Sequence, residues 1–210
     1  MGTDHIGETN MKFYFTGDLH LGHRNILKYA KRLIFMNKDE VSAYHKITNQ
    51  IDMRNMIISE ESLNCHNNTL IKNFNMRVKP EDTTFILGDF CFKNTKSSIY
   101  RGEGSTVPAS YWEKQLNGKL IFIKGSHDKN NSCKAIIHSM VLHYGGMELF
   151  AIHDPKDYNP KYKINLCAHV HQNWKMQKRN KTILINVGVD VWNYKPVAIN
   201  EILKIYNTGR

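Results

Sequence analysis

Short apolar runs alternate along the chain with segments of helical periodicity. Six runs are apolar nearly throughout and last only a few residues, as expected of strands that are buried on both faces. Each run stops at Gly, Asp or His, so these polar residues are expected at the carboxyl ends of the strands. The six runs are KFYFTGDLH, TTFILGDF, KLIFIKGSHD, MELFAIHD, INLCAHVH and TILINVGVD.

Helices are expected between the strands. Residues 24–35 place Ile and Leu near one face and predict a helix. Residues 40–74 predict one or two amphipathic helices, with a break near Ser59 or Asn67. Residues 111–116 predict a short helix that ends at the Asn-Gly pair following it. The alternation of these helices with the strands predicts an α/β layered domain.

The ends and the loops complete the predicted organisation. The first ten residues have no periodicity, so we expect a flexible leader at 1–10 and a single domain over 11–210. Residues 93–110 contain Gly and Pro and predict an irregular loop. The basic residues between 175 and 181 are expected to form a hairpin, and the tail is expected to hold a late strand and a short closing element.

Composition narrows the class of protein. The chain has 210 residues, of which 41% are hydrophobic and 23% charged, as in ordinary globular proteins. No apolar run approaches the ~18 residues that a membrane span needs, so no membrane partner is expected. The four cysteines form no CxxC pair, which favours a reducing, cytoplasmic location. The net charge of +10 favours anionic partners such as phosphate esters or nucleic acid.

Metal-ligating residue types gather where the predicted strands end. Because α/β sheets place their sites at the carboxyl ends of strands, these side chains are expected on one face. These groups are too many for one tetrahedral ion, and mixed carboxylates and imidazoles suit Mn, Fe, Zn or Ni. Asp89 stands alone at its strand end and could bridge two ions. The residues are Asp18, His20, Asp89, His127, Asp128, His153, His169 and His171.

Two neighbouring cations would explain this set chemically. Two cations ~3.5–4 Å apart can clamp a phosphoryl group and lower the pKa of a bridging water towards ~7. The departing alkoxide then needs a proton or a positive charge. His127 can supply it, with the Asp128 carboxylate orienting the imidazolium.

Five of these blocks occur in a recognisable order. They are D-x-H at Asp18 and His20, G-D at Asp89, G-S-H-D at 125–128, His153, and A-H-V-H at 168–171. The order resembles the calcineurin-like metallophosphoesterase superfamily, whose pattern is D-x-H, G-D, G-N-H-D/E, H and G-H-x-H. The surrounding sequence is similar to a subgroup of small bacterial, archaeal and phage phosphoesterases.

The resemblance implies a two-sheet β sandwich flanked by helices, with two divalent metal ions at the strand ends. Mn²⁺ is the preferred ion, and Fe, Zn, Ni or Mg are alternatives. The resemblance implies that Asp18, His20 and His171 hold the first ion, that Asp89 bridges, and that His153 and His169 hold the second ion together with Ser126. It places His127 towards the leaving group, with Asp128 behind it.

Two positions depart from the family pattern. Ser126 stands where the family has Asn, and its shorter side chain could reach the second ion only through a water. Ala168 replaces a Gly and adds one methyl group at a tight turn. The first departure supports an alternative to catalysis, in which the chain is a weakened or inactive homologue that binds metal or phosphate.

The expected function is that of a metal-dependent phosphoric ester hydrolase acting through a metal-bridging hydroxide, with phosphodiesters favoured over monoesters. The substrate is expected to be a phosphate ester, with a nucleotide or nucleic acid as candidates. His23 and Arg24 open the predicted first helix, where free N–H groups could bind a substrate phosphate. His66 matches no block and is assigned to surface or packing.

Overall fold

The structure is a computed structural model that describes residues 11–92, 107–128 and 135–208. The expected leader at 1–10 and most of the expected loop at 93–110 lie outside these residues. Two β-sheets pack against each other, and helices cover the other face of the first sheet. The expected fold class, an α/β two-sheet sandwich flanked by helices, is confirmed.

Nine strands form the two sheets in the described ranges. They are β1 (Phe13–Thr16), β2 (Thr83–Leu87), β3 (Lys119–Ile123), β4 (Ser139–Tyr144), β5 (Met147–Ile152), β6 (Ile164–Cys167), β7 (Met176–Arg179), β8 (Thr182–Asn186) and β9 (Val197–Ala198). The first sheet has the order β3-β2-β1-β9, and the second has the order β4-β5-β6-β8-β7. The inner strands of each sheet run parallel, whereas β9, β4 and β7 pair antiparallel at the edges.

Each of the six apolar runs contains a strand, and packing explains their pattern. On β1, Phe15 faces the second sheet, whereas Tyr14 faces the helices. On β2, Leu87 faces the second sheet and Ile86 faces the helices. Because both faces are covered, these strands have no need for alternating polar residues. The periodicity missed β4, whose residues alternate between exposed and half-buried positions.

The described residues contain six helices. They are α1 (Ile26–Tyr29), α2 (Lys38–His45), α3 (Gln50–Asn55), α4 (Glu60–Arg77), α5 (Ala109–Glu113) and α6 (Ile199–Thr208). The predicted break at Ser59 is confirmed, since its side chain accepts the Ser62 N–H at 3.1 Å and caps α4. The alternative break at Asn67 is not formed, because Asn67 lies inside α4. Helices α2, α3 and α4 occupy the region where one or two helices were expected. None of the helices in the described part combines the length and apolar character that crossing a membrane requires.

The helix predicted over 24–35 is wrong, because only one turn of it forms. Helix α1 ends at Tyr29, and Lys31 adopts a left-handed φ of 50°. The N–H of Arg32 then donates to the carbonyl of Leu27 at 2.7 Å, which closes the helix in the manner of a Schellman cap. The chain turns at this point, and the Arg32 side chain is completely buried.

Candidate metal centre

Six side chains of metal-ligating type follow strand ends at one end of the two sheets. Asp18 and His20 follow β1, Asp89 follows β2, His153 follows β5, and His169 and His171 follow β6. Their ligand atoms form two groups, each within 4.8 Å. The first group is Asp18, His20 and His171, and the second group is Asp89, His153 and His169. The fold thus brings together the residues that the sequence placed at strand ends.

Five of these six residues have an unusual backbone conformation. Their φ angles are positive: Asp18 (53°), His20 (49°), Asp89 (51°), His169 (72°) and His171 (46°). Residues other than glycine seldom adopt this left-handed region, which costs of order 1–2 kcal/mol each. Such outliers cluster at functional sites, where the surrounding structure holds them in place. The conformation therefore supports a functional role for these loops.

Asp18 and His20 of the first group are buried, and one atom of each lacks a hydrogen-bond partner in the described part of the chain. Asp18 is 0% exposed, and its Oδ2 accepts the N–H of His169 at 2.7 Å. Asp18 Oδ1 and His20 Nε2 find no hydrogen-bond partner among the residues that the structure describes. An unsatisfied buried polar atom costs ~1–3 kcal/mol. A divalent cation would satisfy both atoms, so this donor set fits a metal ion.

The Asp89 carboxylate joins the two groups. Its Oδ2 lies 3.6 Å from Nε2 of His20 in the first group and 3.5 Å from Nε2 of His153 in the second. Its Oδ1 accepts the backbone N–H of His127 at 2.8 Å, which fixes the orientation of the carboxylate. One carboxylate therefore faces ligands of both groups, as a bridging ligand would.

Outer hydrogen bonds orient an imidazole in each group. His153 Nδ1 lies 2.7 Å from the carbonyl oxygen of Leu87, which can only accept, so this nitrogen carries the proton. His171 Nδ1 lies 2.9 Å from Oδ2 of Asp190 and donates to it in the same way. Both rings direct Nε2 towards the other ligand atoms of their group, the arrangement that outer partners of metal-binding histidines typically impose.

Burial and local charge set the protonation of the site. Burial raises the pKa of Asp18 to about 6. Burial also lowers the pKa of His20 well below its usual value, although Asp89 opposes this, and lowers that of His169. For Asp89 and His153 burial is outweighed by their mutual contact, so the pKa of Asp89 falls and that of His153 rises to about 9. His20 and His169 are thus neutral at physiological pH, the form that binds metal.

Ser126 and His127 lie beside the two groups and are exposed. The Ser126 hydroxyl donates to Oδ2 of Asp89 at 3.2 Å. The His127 ring centroid is 5.5 Å from that of His20 and 6.1 Å from that of Phe92. Both residues therefore stand at the solvent side of the bridging carboxylate.

The Asp128 carboxylate contacts the backbone of the loops that carry the candidate ligands. Its carboxylate accepts backbone N–H groups of Gly125 at 2.6 Å, Asp89 at 3.1 Å and Phe90 at 3.4 Å. These bonds tie the loop after β3 to the loop after β2. These contacts position both loops, and the role of Asp128 behind the His127 imidazole stays a prediction.

His23 and Arg24 do not open a helix, and their role in binding a substrate phosphate stays a prediction. Both precede the one-turn helix α1, which begins at Ile26. His23 is buried, stacks on Phe92 at 4.5 Å and has its pKa lowered to about 3, chiefly by burial. The Arg24 guanidinium contacts the Ile58 carbonyl at 2.8 Å and the Glu60 carboxylate.

Sequence reasoning missed the residues behind the first group. The Arg32 guanidinium pairs with both oxygens of Asp190 at 2.8 Å, and His66 contacts Arg32 Nη1 at 2.8 Å. His66, which was assigned to surface or packing, is completely buried. The only signal in the sequence is Asp190 itself, an acidic residue that directly follows an apolar strand run.

Close packing at glycines holds the loops together. A Cβ on Gly125 would lie 2.2 Å from the backbone nitrogen of Asp89, and one on Gly88 would lie 2.4 Å from Nδ1 of His153. A Cβ on Gly17 would lie 2.6 Å from Cβ of Ala168. Gly17 therefore provides the space for the methyl group at position 168, where the family pattern has Gly.

The chain carries, at the strand ends, the six side chains that its resemblance to calcineurin-like metallophosphoesterases implied as metal ligands. It is 30% identical over 207 residues to the uncharacterized protein MJ1445 of Methanocaldococcus jannaschii, covering 95% of this chain and 93% of that protein, and shares its family. No family model matches the chain.

Two solved structures resemble the fold to different degrees. The protein of unknown function AQ665 from Aquifex aeolicus aligns with a TM-score of 0.59 and 20% identity, over 93% of this chain and 100% of that chain. A structure described as a novel archaeal phosphodiesterase aligns with a TM-score of 0.38 and 13% identity, over 90% of this chain and 99% of that chain. The first alignment supports the same fold, and the second is too distant to inform the site.

Proposed function

We propose that this chain is a phosphoesterase that uses two divalent metal ions and favours phosphodiesters over monoesters. The observation that carries the proposal is the Asp89 carboxylate, whose Oδ2 stands 3.6 Å from His20 Nε2 and 3.5 Å from His153 Nε2. A buried carboxylate shared by two groups of ligands suits a pair of ions better than a single one.

Each group would hold one ion. Asp18, His20 and His171 would bind the first, His153 and His169 the second, and Asp89 both. The mixture of carboxylates and imidazoles suits Mn²⁺ and also accepts Fe, Zn, Ni or Mg. When bound, the ions would supply Lewis-acid stabilisation of the phosphoryl oxygens and an activated water.

His127 is the proposed proton donor to the leaving group. Its backbone N–H is fixed on Asp89 Oδ1, so its exposed ring stands next to the ligand cluster. Asp128 holds this loop through backbone amides and so keeps the ring in place. A positioned imidazole can contribute ~10²–10⁴-fold through general acid catalysis.

The charge of the chain supports an anionic substrate with more than one phosphate group or a nucleic-acid backbone. The net charge is +10, and the β7–β8 hairpin carries Lys178, Arg179 and Lys181. A nucleotide or a nucleic-acid backbone, which carries several negative charges, meets this requirement. The cytoplasmic location is part of the proposal and rests on the cysteine spacing.

The direct test is hydrolysis of bis(p-nitrophenyl) phosphate and of p-nitrophenyl phosphate in Mn²⁺, with Asp89→Asn as the disabled variant. We expect turnover of the diester to exceed that of the monoester and to vanish in Asp89→Asn. Asp82→Asn is the matched control, since Asp82 is equally buried but accepts the N–H groups of Lys12 and Lys79 at the opposite ends of the strands. Unchanged turnover in Asp89→Asn would refute the proposal.

An inactive metal-binding homologue is the second candidate, and Ser126 favours it. Its hydroxyl donates to the bridging carboxylate at 3.2 Å, so it occupies an oxygen that faces both groups. If this candidate holds, Mn²⁺ binds without hydrolysis of either ester, and Ser126→Asn restores turnover.

A further inference from the structure

Arg32 is a buried cation that none of the roles described so far explains. Its side chain is 0% exposed, which is rare for arginine. Nε and Nη2 donate to the two carboxylate oxygens of Asp190, each at 2.8 Å. Nη2 also donates to the Asp18 carbonyl at 2.6 Å, and Nη1 contacts the Leu19 carbonyl at 3.2 Å and His66 Nε2 at 2.8 Å. All five N–H groups of the guanidinium are therefore used.

These contacts reach every ligand of the first group. Asp190 accepts the Nδ1–H of His171 and so orients that imidazole. The carbonyls of Asp18 and Leu19 belong to the loop that carries Asp18 and His20, both of which have left-handed φ angles. One planar guanidinium thus holds two separate segments of the chain, about 170 residues apart in sequence.

Helix α4 supports the same loop from behind. His66 accepts from Arg32 through Nε2, and its Nδ1 lies 3.2 Å from Oδ1 of Asn67. The same Asn67 oxygen accepts the N–H of Gly22 at 3.0 Å. The ligand loop after β1 is therefore fixed at three successive points by buried polar contacts.

The second group is held differently. His153 is oriented by the Leu87 carbonyl, and Asp89 by the N–H of His127, both on neighbouring loops. The His169 side chain is 36% exposed. Arg32 contacts the loop of the first group and its supporting residues. A change at Arg32 should therefore weaken metal binding more in the first group than in the second.

We propose that Arg32 is a positioning residue for the first metal site, which it shapes through Asp190 and through the backbone carbonyls of the ligand loop. The inference rests on the proposed function, because it requires that the two groups bind metal. Loss of outer partners of metal ligands typically costs about 10–100-fold in metal affinity. That loss should fall on the first group.

Mn²⁺ titration of one-site backgrounds tests the inference without any activity assay. In His169→Ala, which disables the second group, Arg32→Lys should raise the Mn²⁺ dissociation constant about 10–100-fold. In His171→Ala, which disables the first group, Arg32→Lys should raise the Mn²⁺ dissociation constant by less than about threefold. Lysine keeps the charge but cannot make the paired contact with Asp190.

Lys28→Met is the matched control, since Lys28 is also a buried cation of the α1 region, where its Nζ donates to the carbonyls of Arg54 and Met56. Lys28→Met should change Mn²⁺ affinity by less than about threefold in both backgrounds.

Asp190→Asn is the second variant if Arg32→Lys unfolds, and it should weaken Mn²⁺ binding by the first group alone. Equal losses in both backgrounds, or none in either, would overturn the inference. Failure of the unsubstituted chain to bind Mn²⁺ would instead refute the proposed function, and the inference with it.

Discussion

The two ligand groups meet at one carboxylate but are built in different ways. Each group has two buried residues and one partly exposed residue, but the supports of the first group come from Arg32 and Asp190, which are far apart in the sequence. The second group depends on backbone contacts between adjacent loops, and His169 at its edge is partly exposed. A region held by buried contacts opens less often than one held by contacts between loops, so it releases a bound ion more slowly. The comparison therefore predicts a tight first ion and a looser second ion.

The largest effect should come from filling the space between the two ligand loops. A Cβ at position 125 would lie 2.2 Å from Asp89 N and 2.3 Å from Asp89 Oδ1, so Gly125→Ala must displace the bridging carboxylate. A misplacement of ~1 Å can cost about 10²-fold in rate. We expect at least that loss in diester turnover, together with loss of Mn²⁺ from the second group.

Gly146→Ala separates this clash from simple backbone strain. Unlike Gly125, Gly146 has a positive φ, of 75°, and a Cβ there would meet nothing within 4 Å. The substitution should cost of order 1 kcal/mol in stability and leave turnover unchanged. Equal turnover in the two alanine variants would show that the close approach of the loops is unimportant.

Removal of Mn²⁺ by a chelator should distinguish the two groups directly. The unsubstituted chain should release its ions in two phases, with affinities that differ at least about tenfold, or ~1.4 kcal/mol. His169→Ala should remove the weak, fast phase, and His171→Ala the tight, slow one. A single phase in the unsubstituted chain would contradict the asymmetry between the groups.

A smaller effect is expected at Ser126. Asn has a longer side chain whose amide oxygen can reach an ion held by the second group, so Ser126→Asn should tighten the second ion and raise turnover about tenfold. Ser126→Ala, which only removes the hydroxyl bonded to Asp89, should not give this gain. If Ser126→Asn changes neither quantity, position 126 does not limit the second group.

The smallest effect concerns a carboxylate outside both groups. Glu40 accepts hydrogen bonds from Asn37 N–H, Ser59 N–H and the Ser62 hydroxyl. Burial acts to raise the pKa of Glu40, but these hydrogen bonds outweigh it and the pKa lies below 4.5. The ionised carboxylate therefore stabilises the fold at pH values above the pKa that Glu40 has in the unfolded chain. This stabilisation is lost as the pH falls through the lower pKa of the folded chain.

Glu40→Gln should cost ~1–2 kcal/mol at neutral pH and remove part of the loss of stability in acid. Urea unfolding at about pH 3 and pH 7 measures both changes. Mn²⁺ binding by the two groups at neutral pH should stay the same. A parallel change in Mn²⁺ affinity would show that helix packing around α2 is coupled to the centre.

The candidate ligands could be predicted from the sequence because an apolar run followed directly by Asp or His is a local pattern. Asp89 and His153 each follow an apolar run, and the fold only has to align the strand ends. Arg32 was not predictable, since it lies in a basic segment that resembles an exposed helix face. Its burial depends on Asp190, which is 158 residues away, and no local pattern reports that contact.

The same distinction explains the errors in the fold. The runs containing β2 and β8 are apolar on both faces and were found. By contrast, β7 is short, polar and at a sheet edge, so it lacks an apolar signature, and only its turn and basic residues indicated a hairpin. The left-handed φ angles of the ligand residues follow from contacts made after folding and could not be read from residue type.

The most direct test of the central claim is electron paramagnetic resonance of the Mn²⁺-loaded protein, combined with a count of Mn²⁺ per chain. Two ions that share Asp89 should give two Mn²⁺ per chain and an exchange-coupled signal, and His171→Ala or His169→Ala should convert it to the signal of an isolated ion. One ion per chain, or two uncoupled ions, would contradict a centre built on a shared carboxylate.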